Sequence, residues 1–169
     1  MIRVISANLN GIRSATRKGW PQWLASQQAD VVCVQELKAQ LADLDESLHK
    51  IGDLTGHFCE AQKRGYSGVA IYTRRKPLSI TRGIGSREFD AEGRYIEADY
   101  GRYSVISVYV PSGTSSPERL EAKYRFMDKF MRHLRALKRS GKEIILCGDW
   151  NIAHQEIDLK NWRSNRKNS

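Results

Sequence analysis

Short, dense apolar runs that stop abruptly on polar residues constrain this chain more than any other feature. Residues 30–36 read DVVCVQE, and residues 143–147 read EIILC, followed at once by Gly148-Asp149-Trp150-Asn151. Runs of this length, rich in β-branched residues, suit buried strands. Residues 2–8 (IRVISAN) read as another strand ending in polar residues. Further strand-like segments fall at 57–62, 68–74, 94–100 and 103–110, separated by Gly, Pro and charged turns. Helical patterning is rarer. Residues 13–26 look helical with a break near Gly19 and Pro21, and Leu41, Leu44 and Leu48 fall on one helical face.

The clearest helix is capped by Ser116, carries Pro117 in its first turn and stops at Gly141. Its periodicity predicts a buried stripe of Leu120, Tyr124, Met127, Phe130, Met131, Leu134 and Leu137. Its opposite face, with Arg119, Lys123, Arg125, Lys129, Arg132, Arg135, Lys138 and Arg139, reads as the solvated side. Many strands with few helices predict an α/β or α+β domain built on packed sheets. The 169 residues suit a single domain over 1–169.

Charge adds a constraint on partners. The chain has 28 Lys and Arg against 19 Asp and Glu, a net +9. That excess suits a polyanion, nucleic acid before membrane, although a solvated basic surface would look the same. Cys33, Cys59 and Cys147 match neither a zinc spacing nor a disulfide framework and read as buried thiols in a reducing compartment. The N-terminus opens a strand rather than a signal peptide, and no apolar run approaches membrane-spanning length. These features predict a cytoplasmic protein.

Several strands end alike: at Asn8, with Asn10 beyond it; at Glu36; at Tyr109; and at Asp149 and Asn151. Each residue alone reads more simply as a turn former, a helix cap, a partner for Lys38 or a core aromatic. If the strands run alike in packed sheets, their ends share one cleft. Together they would supply oxygen ligands, a candidate base, a carboxamide and a phenol. No nucleophilic Ser or Cys arrangement accompanies them, so the inventory is that of metal-assisted hydrolysis by water.

The segments SANLNGIRSA, VVCVQELKA, KRGYSGVAIYTR, FDAEGRYIEADY, VYVPSG and CGDWNIAHQEIDLKN occur in one order. In that order they resemble the exonuclease III family of apurinic/apyrimidinic DNA-repair endonucleases, within the endonuclease/exonuclease/phosphatase superfamily. The resemblance runs from Ile2 to Ser169. It implies a four-layer αββα sandwich of the DNase I-like type, here lacking its C-terminal part, with one sheet face left without a partner. It implies Mg²⁺ or Mn²⁺ as cofactor, with Glu36, Asn8 and Asn10 at the metal, Asn8 also supporting the catalytic aspartate, and Tyr109, Asp149 and Asn151 as catalytic residues. Tyr66 and Arg94 match positions on the DNA-contacting side. The resemblance places the family's functional histidine elsewhere, so His154 reads as structural, as does Asp158.

The implied activity is hydrolysis of the phosphodiester 5′ to an abasic site in duplex DNA, with 3′-5′ exonuclease and 3′-phosphatase activity beside it. The implied partners are duplex DNA with abasic sites or blocked 3′ ends, for a cytoplasmic, nucleoid-associated protein that is monomeric when complete. Two other readings stand against it. One is a non-catalytic DNA-binding fragment; the other is a phosphoesterase of the same superfamily acting on lipid head groups or nucleotides.

Overall fold

The apolar runs pair into two mixed sheets in a computed structural model, which describes residues 1–114 and 116–165. The first sheet has the order β1-β2-β5-β4-β3. Its strands are β1 (Val4–Asn8), β2 (Val31–Gln35), β3 (Lys50–Ile51), β4 (Leu54–Cys59) and β5 (Val69–Thr73). The second has the order β6-β7-β8-β9, from β6 (Ser79–Arg82), β7 (Tyr95–Asp99), β8 (Tyr103–Tyr109) and β9 (Glu143–Asp149).

Two pairs are parallel, β1 with β2 and β8 with β9. A parallel pair needs a long crossover, usually helical. Helices α1 (Ile12–Arg17) and α2 (Trp20–Ser26) supply the first, and α4 (Pro117–Arg139) the second. The single turn α3 (Arg87–Asp90) precedes β7, and α5 (Trp162–Asn165) follows β9.

Three apolar cores separate four layers. Ile12, Trp20 and Leu24 of the first helices pack on Val32, Val34 and Tyr72. Val31, Cys33, Val69 and Ile71 meet Ile96, Ala98 and Val105 between the sheets. Phe126 and Phe130 of α4 cover Tyr95, Ile106 and Val108. The strands fully buried on both faces, such as β2, are those that read as unbroken apolar runs. This is the expected four-layer sandwich. Both sheets have packed faces, and the open features are edges: β1 and β9 are terminal strands, and every residue of β9 after Glu143 is half-buried.

The sheets are also joined by polar contacts. Gln35 Nε2 donates to Ser107 Oγ at 2.9 Å, Ser107 Oγ donates to the Val34 carbonyl at 3.1 Å, and the Cys33 thiol reaches the Ile106 carbonyl at 3.7 Å. Residues 33 to 35 therefore lie over 106 and 107 in the same order. β2 and β8 run alike, so all four parallel strands end on one side.

Local details differ from the sequence reading in ways that packing explains. The break at Gly19 is real: its φ is 87°, and Pro21 sits in the first turn of α2. Leu41, Leu44 and Leu48 belong to two separate 3₁₀ turns, Leu41–Asp43 and Glu46–Leu48, rather than one helix. β6 and α3 lack a sequence signal because β6 is an edge strand of mostly exposed residues.

α4 is rotated from its predicted orientation. Tyr124 and Met131 are 58% and 41% exposed, while Lys123, expected in solvent, is buried with Phe126 and Phe130. Lys129 and Arg125 stay on the exposed face as expected, where they reach Ser86 and Glu88. Cys33 and Cys59 are buried and Cys147 half-buried, all three as free thiols. No helix among the described residues is long and apolar enough to cross a membrane.

Two histidines couple the fold to pH. His57 Nε2 lies 3.2 Å from Thr73 Oγ1. His133 Nε2 lies 2.9 Å from the Tyr95 hydroxyl, which itself donates to Glu97. Burial lowers both imidazoles below their ordinary 6.5. The unfolded chain therefore takes up protons first on acidification, and stability falls as pH drops below that value. Thermal melts should show a declining Tm from pH 7 downward, with a shallower decline in His57→Gln/His133→Gln.

Candidate active site

The four parallel strands deliver their terminal side chains to one end of the sandwich. Asn8 faces Gln35 in the β1–β2 ladder, and Tyr109 faces Asp149 in the β8–β9 ladder. The two sets meet through one side chain. Asn8 Nδ2 donates to Glu36 Oε1 at 2.9 Å and to Asp149 Oδ2 at 2.7 Å. One carboxamide thus ties a carboxylate of the first sheet to one of the second. The Asn8 carbonyl oxygen accepts from the Asn10 N–H at 2.9 Å, which fixes the orientation of the amide.

Glu36 is held on its other oxygen by Lys38 Nζ at 2.5 Å, and Lys38 also donates to Asn10 Oδ1 at 2.5 Å. The sequence alternative of a Glu36–Lys38 pair is therefore present, as part of the site. Burial raises the Glu36 carboxyl, but the Lys38 and Asn8 hydrogen bonds and the Lys38 charge outweigh it, so it lies below the ordinary carboxylate range. The Tyr109 hydroxyl interacts with Glu36. Burial and then that negative charge push its pKa up to about 12. At neutral pH Tyr109 is a phenol able to donate.

Asp149 and Asn151 form a second unit. The Asn151 N–H donates to Asp149 Oδ1 at 2.9 Å, and its Nδ2 donates to the Val110 carbonyl at 2.8 Å. Beyond it, Asp158 accepts from the backbone N–H groups of His154 and Gln155 and closes the loop, while His154 is exposed. The cleft in front of Asp149 holds about 610 Å³ and is lined by Asn8, Gln35, Asn151 and Thr114 among others.

Backbone strain gathers here. Seven non-glycine residues among those described have left-handed φ, and Asn10, Glu36, Lys38 and Asn151 are four of them. Such conformations cost about 1–3 kcal/mol each and persist where surrounding bonds over-determine them. The Gly11 N–H bonds the Glu36 carbonyl, and the Leu37 and Lys38 N–H groups bond the Gly68 and Ser67 carbonyls. Glu36 is thereby pinned between two loops.

A basic aromatic group adjoins the carboxylates. Arg94 is only 3% exposed. It donates to Glu92 at 2.5 Å, to the Tyr109 carbonyl at 3.1 Å and to the Tyr66 hydroxyl at 2.7 Å. Its guanidinium lies 4.9 Å from the Tyr109 ring centroid. Arg119 donates to the same Tyr66 hydroxyl at 3.0 Å and pairs with Glu92. Arg94 therefore holds Tyr66 and Tyr109 from beneath. Sequence reasoning missed Gln35, Ser107, Glu92 and Arg119 in this region. The alternation of charge in EGR was visible, but its link to α4 was not.

The donor set suits a hard divalent cation. Mg²⁺ takes one or two carboxylates and keeps several waters, and Glu36 offers such a carboxylate at an open strand end. Among the described residues no group of three or more His, Cys, Asp or Glu could hold a metal. Any ion here would rely on Glu36, carboxamide oxygens and water.

Fold and site together define a two-sheet sandwich with an acidic, carboxamide-rich site at its strand ends. The chain belongs to the Endonuclease/Exonuclease/phosphatase family, whose sequence model matches residues 5–169. It is similar to an exodeoxyribonuclease of Bacillus subtilis, 37% identical over 169 residues, covering 99% of this chain and 66% of that protein. A DNA-(apurinic or apyrimidinic site) endonuclease of Dictyostelium discoideum is 36% identical over 170 residues, with coverage of 99% and 46%. A solved AP endonuclease from Archaeoglobus fulgidus superposes with a TM-score of 0.83 at 27% identity, covering 98% of this chain and 63% of that one. The chain thus spans between 46% and 66% of the length of these relatives.

Gly148 lets β9 carry Asp149 close to β8. A Cβ there would lie 2.3 Å from the Val108 carbonyl oxygen and 2.5 Å from Val108 Cγ1. Backbone cannot yield as a flexible side chain can, so Gly148→Ala should lose about 1–3 kcal/mol in denaturant unfolding. Amide shifts at Asp149 and Val110 should move with it.

Proposed function

We propose that this site hydrolyses phosphodiesters of damaged duplex DNA, incising 5′ to an abasic nucleotide with Mg²⁺ as cofactor. The observation that carries the reading is the Asn8 bridge, which holds Glu36 and Asp149 together beside Tyr109. Glu36 would hold the metal, with Asn8 and Asn10 as its supporting residues. The ion supplies positive charge against the phosphate when bound.

The protein's own groups then have separable tasks. Asp149 is oriented by two donors, Asn8 and the Asn151 N–H, and acts as the base for an attacking water. Tyr109, neutral at working pH, donates to a phosphate oxygen as negative charge builds. Asn151, two residues beyond the base, faces the reacting phosphate. Tyr66 accepts two guanidinium bonds, which leaves its own proton for a DNA phosphate, with Arg119 alongside and Arg94 as support. Backbone contacts of this kind position a duplex without reading its sequence.

The abasic nucleotide would be extruded from the helix into the cleft. Its products would be a 3′-hydroxyl and a 5′-deoxyribose phosphate, and the same site would trim 3′ ends and 3′-phosphates. The names of the relatives and the net charge of +9 support DNA as the substrate class.

A second reading has its own support. The described residues contain few metal-binding carboxylates, and the chain spans 66% or less of these relatives. On that reading the chain binds duplex DNA without cutting it.

One assay separates the two. A labelled abasic duplex with Mg²⁺ should be incised, EDTA should abolish cleavage, and Mg²⁺ should restore it. Asp149→Ala and Glu36→Ala should each lower the rate by about 10²-fold or more. Salt-sensitive binding that survives both substitutions, with no incision by the parent chain, would establish the second reading instead.

A further inference from the structure

Lys123 is placed where a lysine costs the fold something. It lies in the second turn of α4, is 3% exposed, and donates from Nζ to the Asn151 carbonyl at 2.9 Å. Among the described residues no carboxylate stands within ion-pair distance of it. Burial alone holds its pKa below the ordinary lysine value. A buried ammonium without a counter-ion destabilises a protein. An unbranched apolar residue of similar length would fill this position beside Phe126 and Phe130 at lower cost.

The carbonyl that Lys123 holds belongs to a strained residue. Asn151 has a φ of 50° and sits between the catalytic strand and an exposed loop. Its N–H is fixed by Asp149 and its side chain by Val110, both at the strand ends. Lys123 supplies the third tether, and it comes from a separate element. Without it the Asn151–Ile152 peptide is free to turn, and the Asn151 Cα, which carries the N–H that orients Asp149, loses its anchor on the α4 side.

We propose that Lys123 is a positioning residue for phosphodiester cleavage, anchoring residue 151 by its carbonyl so that Asp149 and the Asn151 carboxamide face the phosphate together. The inference rests on the reading of this site as a phosphodiesterase. It assigns Lys123 no contact with substrate.

The test compares Lys123→Met and Lys123→Arg with the parent chain in abasic-duplex incision and in thermal unfolding. Lys123→Met should lower kcat about 10²-fold, the scale of a small misplacement of catalytic groups, with KM changed little. Its Tm should be unchanged or higher, since a buried charge has been removed. Lys123→Arg, which keeps a donor within reach of the carbonyl, should recover most of the lost kcat. Full kcat in Lys123→Met would overturn the proposal, as would a fall in Tm of several degrees with kcat and KM worsening together.

If the parent chain does not incise at all, the phosphodiesterase reading fails, and amide hydrogen exchange then decides the tether itself. Faster exchange at Asn151 in Lys123→Met, with the β9 amides through Leu146 unchanged, would uphold the tether, because the Asn151 N–H reads its bond to Asp149. Unchanged exchange at Asn151 would overturn it.

Discussion

One carboxamide spans the gap between two sheets, and much of this structure is arranged so that it can. Asn8 reaches Glu36 and Asp149 only if β1 and β2 are in register, β8 and β9 are in register, and the sheets pack with their parallel strands pointing the same way. The buried Gln35–Ser107 contact fixes that relative placement directly beneath the site. Hydrogen bonds to charged groups contribute about 1.5–3 kcal/mol each, more than neutral ones. Here they also hold near each other two carboxylates that would otherwise repel.

The surroundings of this bridge trade stability for geometry. Glu36 and Lys38 adopt left-handed backbone, Lys123 carries a buried charge with no carboxylate partner among the described residues, and Gly148 is pressed against the Val108 carbonyl. None of these would be chosen for stability. Each fixes an atom of the site: the Glu36 carboxylate, the Asn151 carbonyl, the approach of Asp149. The three cores make such local costs bearable, since Phe126, Phe130, Leu24 and Tyr72 are fully buried and each contributes about 1.5–3 kcal/mol by burial.

How much of this was legible in the sequence depends on which interaction wrote it. The strands were readable because packing on both faces leaves continuous apolar runs, as in the buried VVCVQ and the half-buried IIL of an edge strand. The strand-end residues stood out for the opposite reason, since polar groups following such runs need a purpose. The rotation of α4 was not legible, because hydrophobicity counts Tyr124 and Met131 as inward and Lys123 as outward. Only the packing of Phe126 and Phe130, with the Asn151 carbonyl waiting beyond them, reverses that. That Asn8 supports both Glu36 and Asp149 followed from the family resemblance, and its two donor bonds could not be read from the residues themselves. A sequence shows that an asparagine is present, not which end of its amide points where.

The account stands or falls on Glu36 and Asp149 acting as one unit through Asn8. A double-mutant cycle on kcat/KM for Asn8→Ala and Asp149→Ala, at saturating Mg²⁺, measures this most directly. The account predicts strong non-additivity: removing Asn8 after Asp149 should cost far less than removing it from the intact site. Losses that multiply to within about threefold would show independent residues and contradict it.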